Sequence, residues 1–277
     1  LKSFHTKKFI MKKIYLNLAA GSSYNSSLEW INYDFISSNK NVKKINLLKK
    51  LPHNDDSIDF IYCSHFIEHI PISQISSFLK ECYRILKKGA HARFVLPDYE
   101  KLSREYINLL SNKKFESAEL ILNLIIDQCV RNEPGGNLKK ILNKIYNSNN
   151  QDLINYSNKW IGDMYIGDST KKNTSFFTII KKILNKKNLI WIEIISKMLP
   201  KAFLNQNVKK TTIGELHQWL WDIYQLNKLL SEIGFVKIDK LEFNQTNFIF
   251  SEIQSLDSTA KNTPRQGEAS MYIEATK

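Results

Sequence analysis

The sequence predicts an α/β fold: a doubly wound, mainly parallel sheet with helices on both faces and a helical insertion. Three observations carry this reading. Short apolar runs alternate with amphipathic helical stretches over residues 14–98, which is the rhythm of βαβ units. The same rhythm returns over 221–277, and between about 100 and 210 helical patterns dominate alone.

In chain order, IYLNLAA (14–20) is an apolar run ending at Gly21, as expected of a buried parallel strand and its turn. WINYDF (30–35) alternates and ends in an acid, and VKKINLL (42–48) reads as a third strand. LPHNDDS (51–57) holds Pro and Asx turn chemistry ahead of a strand in IDFIYCSH (58–65). ISQISSFLKECYRILKKG (72–89) places Ile75, Phe78, Leu79, Cys82, Ile85 and Leu86 at helical spacing, with Lys87 and Lys88 in the last turn and Gly89 at C′. HARFVLPD (91–98) is the next strand. Helical stretches at 115–130, 138–146 and 175–199 are broken by EPGGN (133–137) and NSNNQD (147–152). WDIYQLNKLLSEIGF (221–235) reads as a helix closed by Gly234, followed by strands in VKIDKLEF (236–243) and SMYIEATK (270–277). Residues 1–10 are expected to be a tail outside the fold. Residues 11–277 then form a single domain, with 100–212 as its helical cap or insertion.

Composition sets the frame. Of 277 residues, 43% are hydrophobic and 12% aromatic, enough for a core and too much for wholesale disorder. Cys63, Cys82 and Cys129 stand far apart and are odd in number, so neither a disulfide framework nor a metal site is read, and a reducing, cytoplasmic setting is expected. No stretch reaches the roughly 18 apolar residues of a membrane span. The basic start lacks the apolar stretch of a secretory signal. The net charge is +13, and residues 101–210 hold 19 Lys/Arg against 9 Asp/Glu, compared with 21 against 18 elsewhere. Only five of the cations are Arg, the residue suited to bidentate phosphate recognition, so the bias reads first as a Lys-rich composition. Nucleic acid is disfavoured, since no basic–aromatic face is dense enough. The apolar and basic stretch 176–203 reads as the buried face of a cap helix. Peripheral contact with the inner face of an anionic membrane is the alternative.

Ligands of doubly wound sheets bind at the carboxyl ends of strands, where strand order reverses. Gly21 lies at the first such end and permits close backbone approach. The loop AAGSSYN lacks the triple-glycine fingerprint that cradles a pyrophosphate, which argues against a dinucleotide. Asp34, at the end of the second strand, can accept both hydroxyls of a ribose. Asn46 and Leu47 would flank the base.

LPHNDDSIDFIYCSHFIEHI followed by LKECYRILKKGAHARFVLPD (residues 51–98) resembles the middle of type-11 class I S-adenosylmethionine-dependent methyltransferases, in particular a subgroup found with cell-surface polysaccharide biosynthesis. Residues 216–235 and 264–277 are also similar to that family, and the likeness is poor across the insertion. It implies a Rossmann-like, seven-stranded sheet with the last strand antiparallel. It implies S-adenosylmethionine as cofactor, with Ala19, Gly21, Asp34, Asn46, Leu47, Ser64 and His65 lining its site. Two departures stand out: Ala19-Ala20-Gly21 replaces a Gly-x-Gly turn, and Asn46 replaces an acid. Ala19 is compatible with its place if its φ is negative.

The activity implied is methylation of a small molecule or glycan intermediate, most simply at oxygen. A hydroxyl nucleophile calls for a base, usually His or a carboxylate. His217 is the preferred candidate and Asp98 the second. Tyr99, Trp219 and Trp221 are the expected acceptor contacts. Two alternatives stay open: a non-catalytic scaffold that kept the fold, and an RNA methyltransferase using the basic insertion.

Overall fold

The computed structural model describes residues 13–37, 39–162, 199–200, 211 and 214–277. The predicted tail, most of the 176–203 stretch and the insertion's far boundary at 212 lie outside them.

Seven strands form one sheet. They are β1 (Tyr15–Leu18), β2 (Trp30–Asp34), β3 (Val42–Lys44), β4 (Ile58–Ser64), β5 (Leu86–Pro97), β6 (Val236–Leu241) and β7 (Ser270–Thr276). Their order is β3-β2-β1-β4-β5-β7-β6. The first five run parallel, while β7 is antiparallel to both β5 and β6. The fold is thus the predicted seven-stranded one. The chain winds outward in one direction from β1 and in the other from β4, so the order reverses between these two neighbours.

Period-two alternation divides the buried strand residues between two faces. Leu16, Leu18, Ile61, Cys63, Phe94, Leu96 and Ile273 face α1 (Ile72–Ile85) and α6 (Ile223–Ile233) in the larger core. Tyr15, Trp30, Phe60, Tyr62, Val95 and Tyr272 face α7 (Phe250–Asp257), which contributes Ile253 and Leu256. On this second face Arg93 is completely buried. Its guanidinium bonds Asp257 and Glu274, each at 2.8 Å, and the carbonyls of Gln245 and Glu242. Tyr62 donates its hydroxyl to the other oxygen of Asp257 at 2.8 Å.

Two sequence expectations change here. The helix predicted to reach Lys88 ends at Ile85. Leu86 turns extended, is fully buried and pairs with Ile58, so the chain leaves the helix early to place an apolar side chain in the sheet. Lys87 then reaches Asp59 at 2.7 Å, and Gly89 (φ +76) sits in the irregular start of β5, not at a helix C-cap. The third strand is also shorter than predicted: it stops at Lys44, leaving Asn46 and Leu47 in the following turn. α7 is an element that the periodicity did not mark.

Within the acid-rich turn at 51–57, Arg84 of α1 donates to the carbonyls of Leu51 and His53 and to Asp55, and also pairs with Glu81. One guanidinium therefore ties the turn before β4 to the helix after it.

The helical segment packs mainly on itself. α3 (Phe115–Val130), α4 (Gly136–Tyr146) and α5 (Gln151–Ile161) share Leu120, Leu138, Leu142, Ile145 and Ile161. α2 (Tyr99–Ser111) joins through Leu102 and Leu109, against Ile121, Trp160 and Ala269. Ala269 belongs to the approach to β7. There two backbones cross: a Cβ on Gly162 would lie 2.3 Å from the Arg265 carbonyl, and one on Gly267 2.3 Å from the Trp160 carbonyl. Glu268 and Ala269 donate their amides to Lys159 and Trp160 across this crossing.

Candidate functional site

The parallel strands end together, which brings the loops after β1, β2, β3, β4 and β5 to one edge of the sheet. Leu18 is in register with Tyr33 on one side and Cys63 on the other, so the loop after β1 lies between Asp34 and Ser64-His65.

The loop after β1 is held by side chains from beneath. Asn17 is buried and donates to the Ser23 carbonyl (2.9 Å) and to Asn32 Oδ1 (3.1 Å), and Asn32 donates to the Asn25 carbonyl (2.8 Å). At the tip, the Gly21 amide donates to Asp34 Oδ2 at 2.9 Å, while Asp34 Oδ1 accepts from Ile36 N. Gly21 has φ +52, and a Cβ built on it meets nothing within 4 Å, so the space above the turn is open. Ala19 does not meet the condition of a negative φ: it is left-handed at +59°. The Asn17–Asn32 brace and the Ala20 amide bonded to the Tyr33 carbonyl fix the turn at the cost of that strain.

Beyond β3, Asn46 is exposed and its side chain accepts from Leu48 N, an Asx turn, while Leu47 is buried in the larger core. Ser64 closes β4. His65 follows with φ +49, its amide bonded to the Val95 carbonyl. Its Nδ1 lies 3.1 Å from Glu68 Oε1 and its Nε2 3.1 Å from Ser270 Oγ.

Glu68, part of the SHFIEHI stretch but not among the expected site residues, organises the second half of the site. It lies in a 3₁₀ turn (Ile67–His69) and its side chain is 1% exposed. Its carbonyl accepts from Gln218 and Trp219, and the His217 amide donates to the Gln128 carbonyl of α3. His69 Nδ1 donates to the Leu216 carbonyl at 2.9 Å, and its ring meets that of His217 edge-on at 4.8 Å. Burial alone would raise the Glu68 carboxyl, but the His65 hydrogen bond and the surrounding histidines hold it down at about 2. Burial pushes His217 down to about 4, outweighing the attraction of Glu68. His217 is therefore neutral at neutral pH and a weak base.

The expected acceptor residues separate. Glu68, Pro97, Tyr99, His217, Trp219 and Trp221 border one narrow recess beside the edge. Tyr99 and Trp219 are partly exposed. Trp221 is 4% exposed and packed into the larger core, so it forms the recess floor and no surface platform. Asp98 is fully buried and both its oxygens are occupied: Oδ1 caps α2 by accepting from Lys101 N, and Oδ2 takes Lys240 Nζ at 2.6 Å. That arrangement makes it a structural anion and not a free base.

Residues 32–94 match the family of methyltransferase domains. The matched stretch runs from β2 into β5 and includes Asp34, Asn46, Leu47, Ser64, His65 and Glu68. No curated protein matches the chain. Among solved structures, the chain is similar to a SAM-dependent methyltransferase from Archaeoglobus fulgidus, at 13% identity over 96% of this chain and 86% of that one, with a TM-score of 0.40. It is also similar to a SAM-dependent methyltransferase from Thermotoga maritima described as a possible histamine N-methyltransferase, at 15% identity over 97% and 84%, with a TM-score of 0.42. Likenesses of this size assign neither an activity nor a substrate to the chain.

Proposed function

We propose that this chain is a methyltransferase that uses S-adenosylmethionine to methylate a hydroxyl of a small molecule or glycan intermediate. The observation that carries the cofactor reading is the Gly21–Asp34 contact at the reversal of strand order. A glycine turn with open space above it is fastened to an acid whose remaining lone pairs suit two ribose hydroxyls. Asp34 would hold the ribose and Leu47 and Asn46 the adenine side. Ser64 and His65 would form the floor nearest the second half of the site. When bound, the cofactor supplies an electrophilic methyl carbon on a sulfonium. The protein's part is alignment: it holds acceptor and donor in line, so that the O–CH3 bond forms as the S–CH3 bond breaks without acid catalysis at the leaving group. The hydroxyl proton passes to solvent water, since His217 is a weak base and Asp98 is occupied.

The glycan reading draws on the resemblance of 51–98, 216–235 and 264–277 to the polysaccharide-associated subgroup. Support for the acceptor's location comes from the recess, where Tyr99 and Trp219 offer aromatic surface beside His217. His217 is more credible as a wall of that recess than as its base, given its depressed pKa.

Calorimetry with S-adenosylmethionine and with its demethylated product tests the cofactor reading: saturable binding of both is expected, and no binding of either overturns it. Incubation with sugar acceptors or RNA, followed by mass spectrometry, tests the substrate class. Methyl groups on sugar oxygens support the reading; methylated RNA with untouched sugars refutes it.

A further inference from the structure

We infer that the chain binds one divalent ion of the zinc class between Glu68, His69 and His217. Ligand atoms of these three side chains all lie within 4.8 Å of one another. The inference does not depend on the methyl-transfer reading, because the site can fill or stay empty whatever the cofactor.

The proton arrangement points to a cation. A carbonyl oxygen only accepts, so His69 Nδ1 must carry the hydrogen it gives to Leu216. In the neutral ring, Nε2 is then a lone pair, and it faces Glu68 Oε1 at 3.9 Å. A cation held between that lone pair and the anionic oxygen would satisfy both, as would a second proton on the ring. Fixing one ring nitrogen on a main-chain carbonyl to present the other is how metal-binding histidines are oriented.

The other two ligands are equally short of partners. Glu68 is buried and its Oε2 has no hydrogen-bond partner among the described residues. The carboxylate thus offers an unused oxygen in a site with little water to satisfy it. His65, 3.1 Å from Oε1, acts as a positioning residue that holds the carboxylate in place. The His217 ring is 7% exposed and, among the described residues, makes no hydrogen bond through either nitrogen. Arg131, the nearby cation, is already neutralised by Asp127 and Glu215.

The cage is built by the main chain and so exists before any ion arrives. Gln218 and Trp219 amides on the Glu68 carbonyl, and the His217 amide on Gln128, lock the two ligand segments together. Two imidazoles and one carboxylate suit zinc and its neighbours, whereas calcium and magnesium favour all-oxygen sets. Three protein ligands leave a coordination position for water or an acceptor oxygen, beside the recess that Glu68 and His217 both border.

The test uses the full chain, stripped with a chelator and titrated with Co²⁺ while the visible spectrum is recorded, then with Zn²⁺ in competition. One Co²⁺ per chain, with the intense bands of a low-symmetry site that Zn²⁺ abolishes, is expected. Glu68→Gln, an isostere that preserves packing, and His217→Ala should each weaken binding at least about 10-fold. His91→Ala, in β5 away from the site, should leave it unchanged. No stoichiometric binding by the wild-type chain overturns the inference, as does binding that survives Glu68→Gln and His217→Ala intact. Circular dichroism checks that each variant is folded; if His217→Ala is not, Glu68→Gln decides.

Discussion

Ala19 holds a left-handed conformation, φ +59°, in which a Cβ is unfavourable. Replacing it with glycine removes that strain and adds some unfolded-state entropy. Ala19→Gly should therefore stabilise the protein by up to about 1 kcal/mol, read from denaturant unfolding; a destabilisation would mean the strain is not there. Asp34 carries the opposite expectation. Hydrogen bonds to a charged group contribute about 1.5–3 kcal/mol, so Asp34→Ala should weaken S-adenosylmethionine binding roughly 10- to 100-fold in calorimetry. Unchanged affinity would remove Asp34 from the ribose contact. His53, bonded to the Tyr33 hydroxyl at 3.0 Å, has its pKa lowered by burial first, then by Lys43 and Arg84. Below its ordinary value of 6.5 the unfolded chain takes up a proton more readily than the folded one, so its contribution is full above that pH and lost as pH falls below it. His53→Gln should narrow its stability gap from wild type as pH drops; a gap that stays constant with pH would contradict this. At this scale the sequence was partly legible. Asp34 and Gly21 announce themselves because an acid and a glycine at strand ends are local patterns. The sign of φ at Ala19 is not, since Asn17 and Asn32 set it through contacts across two strands. The role of Glu68 is not legible from its SHFIEHI stretch because its partners at 217–219 are remote in the chain.

Strands and helices were read well wherever one period filled the element. The end of α1 was misread because Lys87, Lys88 and Gly89 look like a helix terminus. The pairing of Leu86 with Ile58, which settles the matter, is a long-range fact. α7 was missed because it is short and its place depends on Asp257 meeting Arg93 and Tyr62. That meeting makes β5 vulnerable at one point. Arg93→Met leaves Asp257 and Glu274 buried without their cation, and should cost about 3–5 kcal/mol in denaturant unfolding. A cost near zero would show that the network contributes nothing. Asp98, at the head of α2, separates two roles. Asp98→Asn keeps an oxygen to cap the helix while removing the charge. If the residue is structural, the variant retains most of its methyl-transfer rate despite losing the Lys240 pair; a collapse of rate with the fold intact would restore it as a base.

The molecule joins a sheet with helices on both faces to a helical layer having cores of its own. Where they meet, at Gly162 and Gly267, the backbones are too close for any side chain. Gly267→Ala should destabilise the protein by more than about 2 kcal/mol, since a forbidden conformation and a main-chain clash add together; a neutral result would mean that the layers can separate freely at this crossing. The sequence marked a change of rhythm near residue 100, but a contact between two glycines far apart in the chain has no periodicity to betray it. The antiparallel course of β7 has a practical side as well. Ser270 begins the strand beside His65, at the edge that holds the candidate site, and the strand then runs the other way. Lys277 finishes among Arg84, Asp56 and Ala90, on the reverse of the sheet. A probe carried on the Lys277 side chain would therefore report from the back, at the far end of β7 from the candidate site.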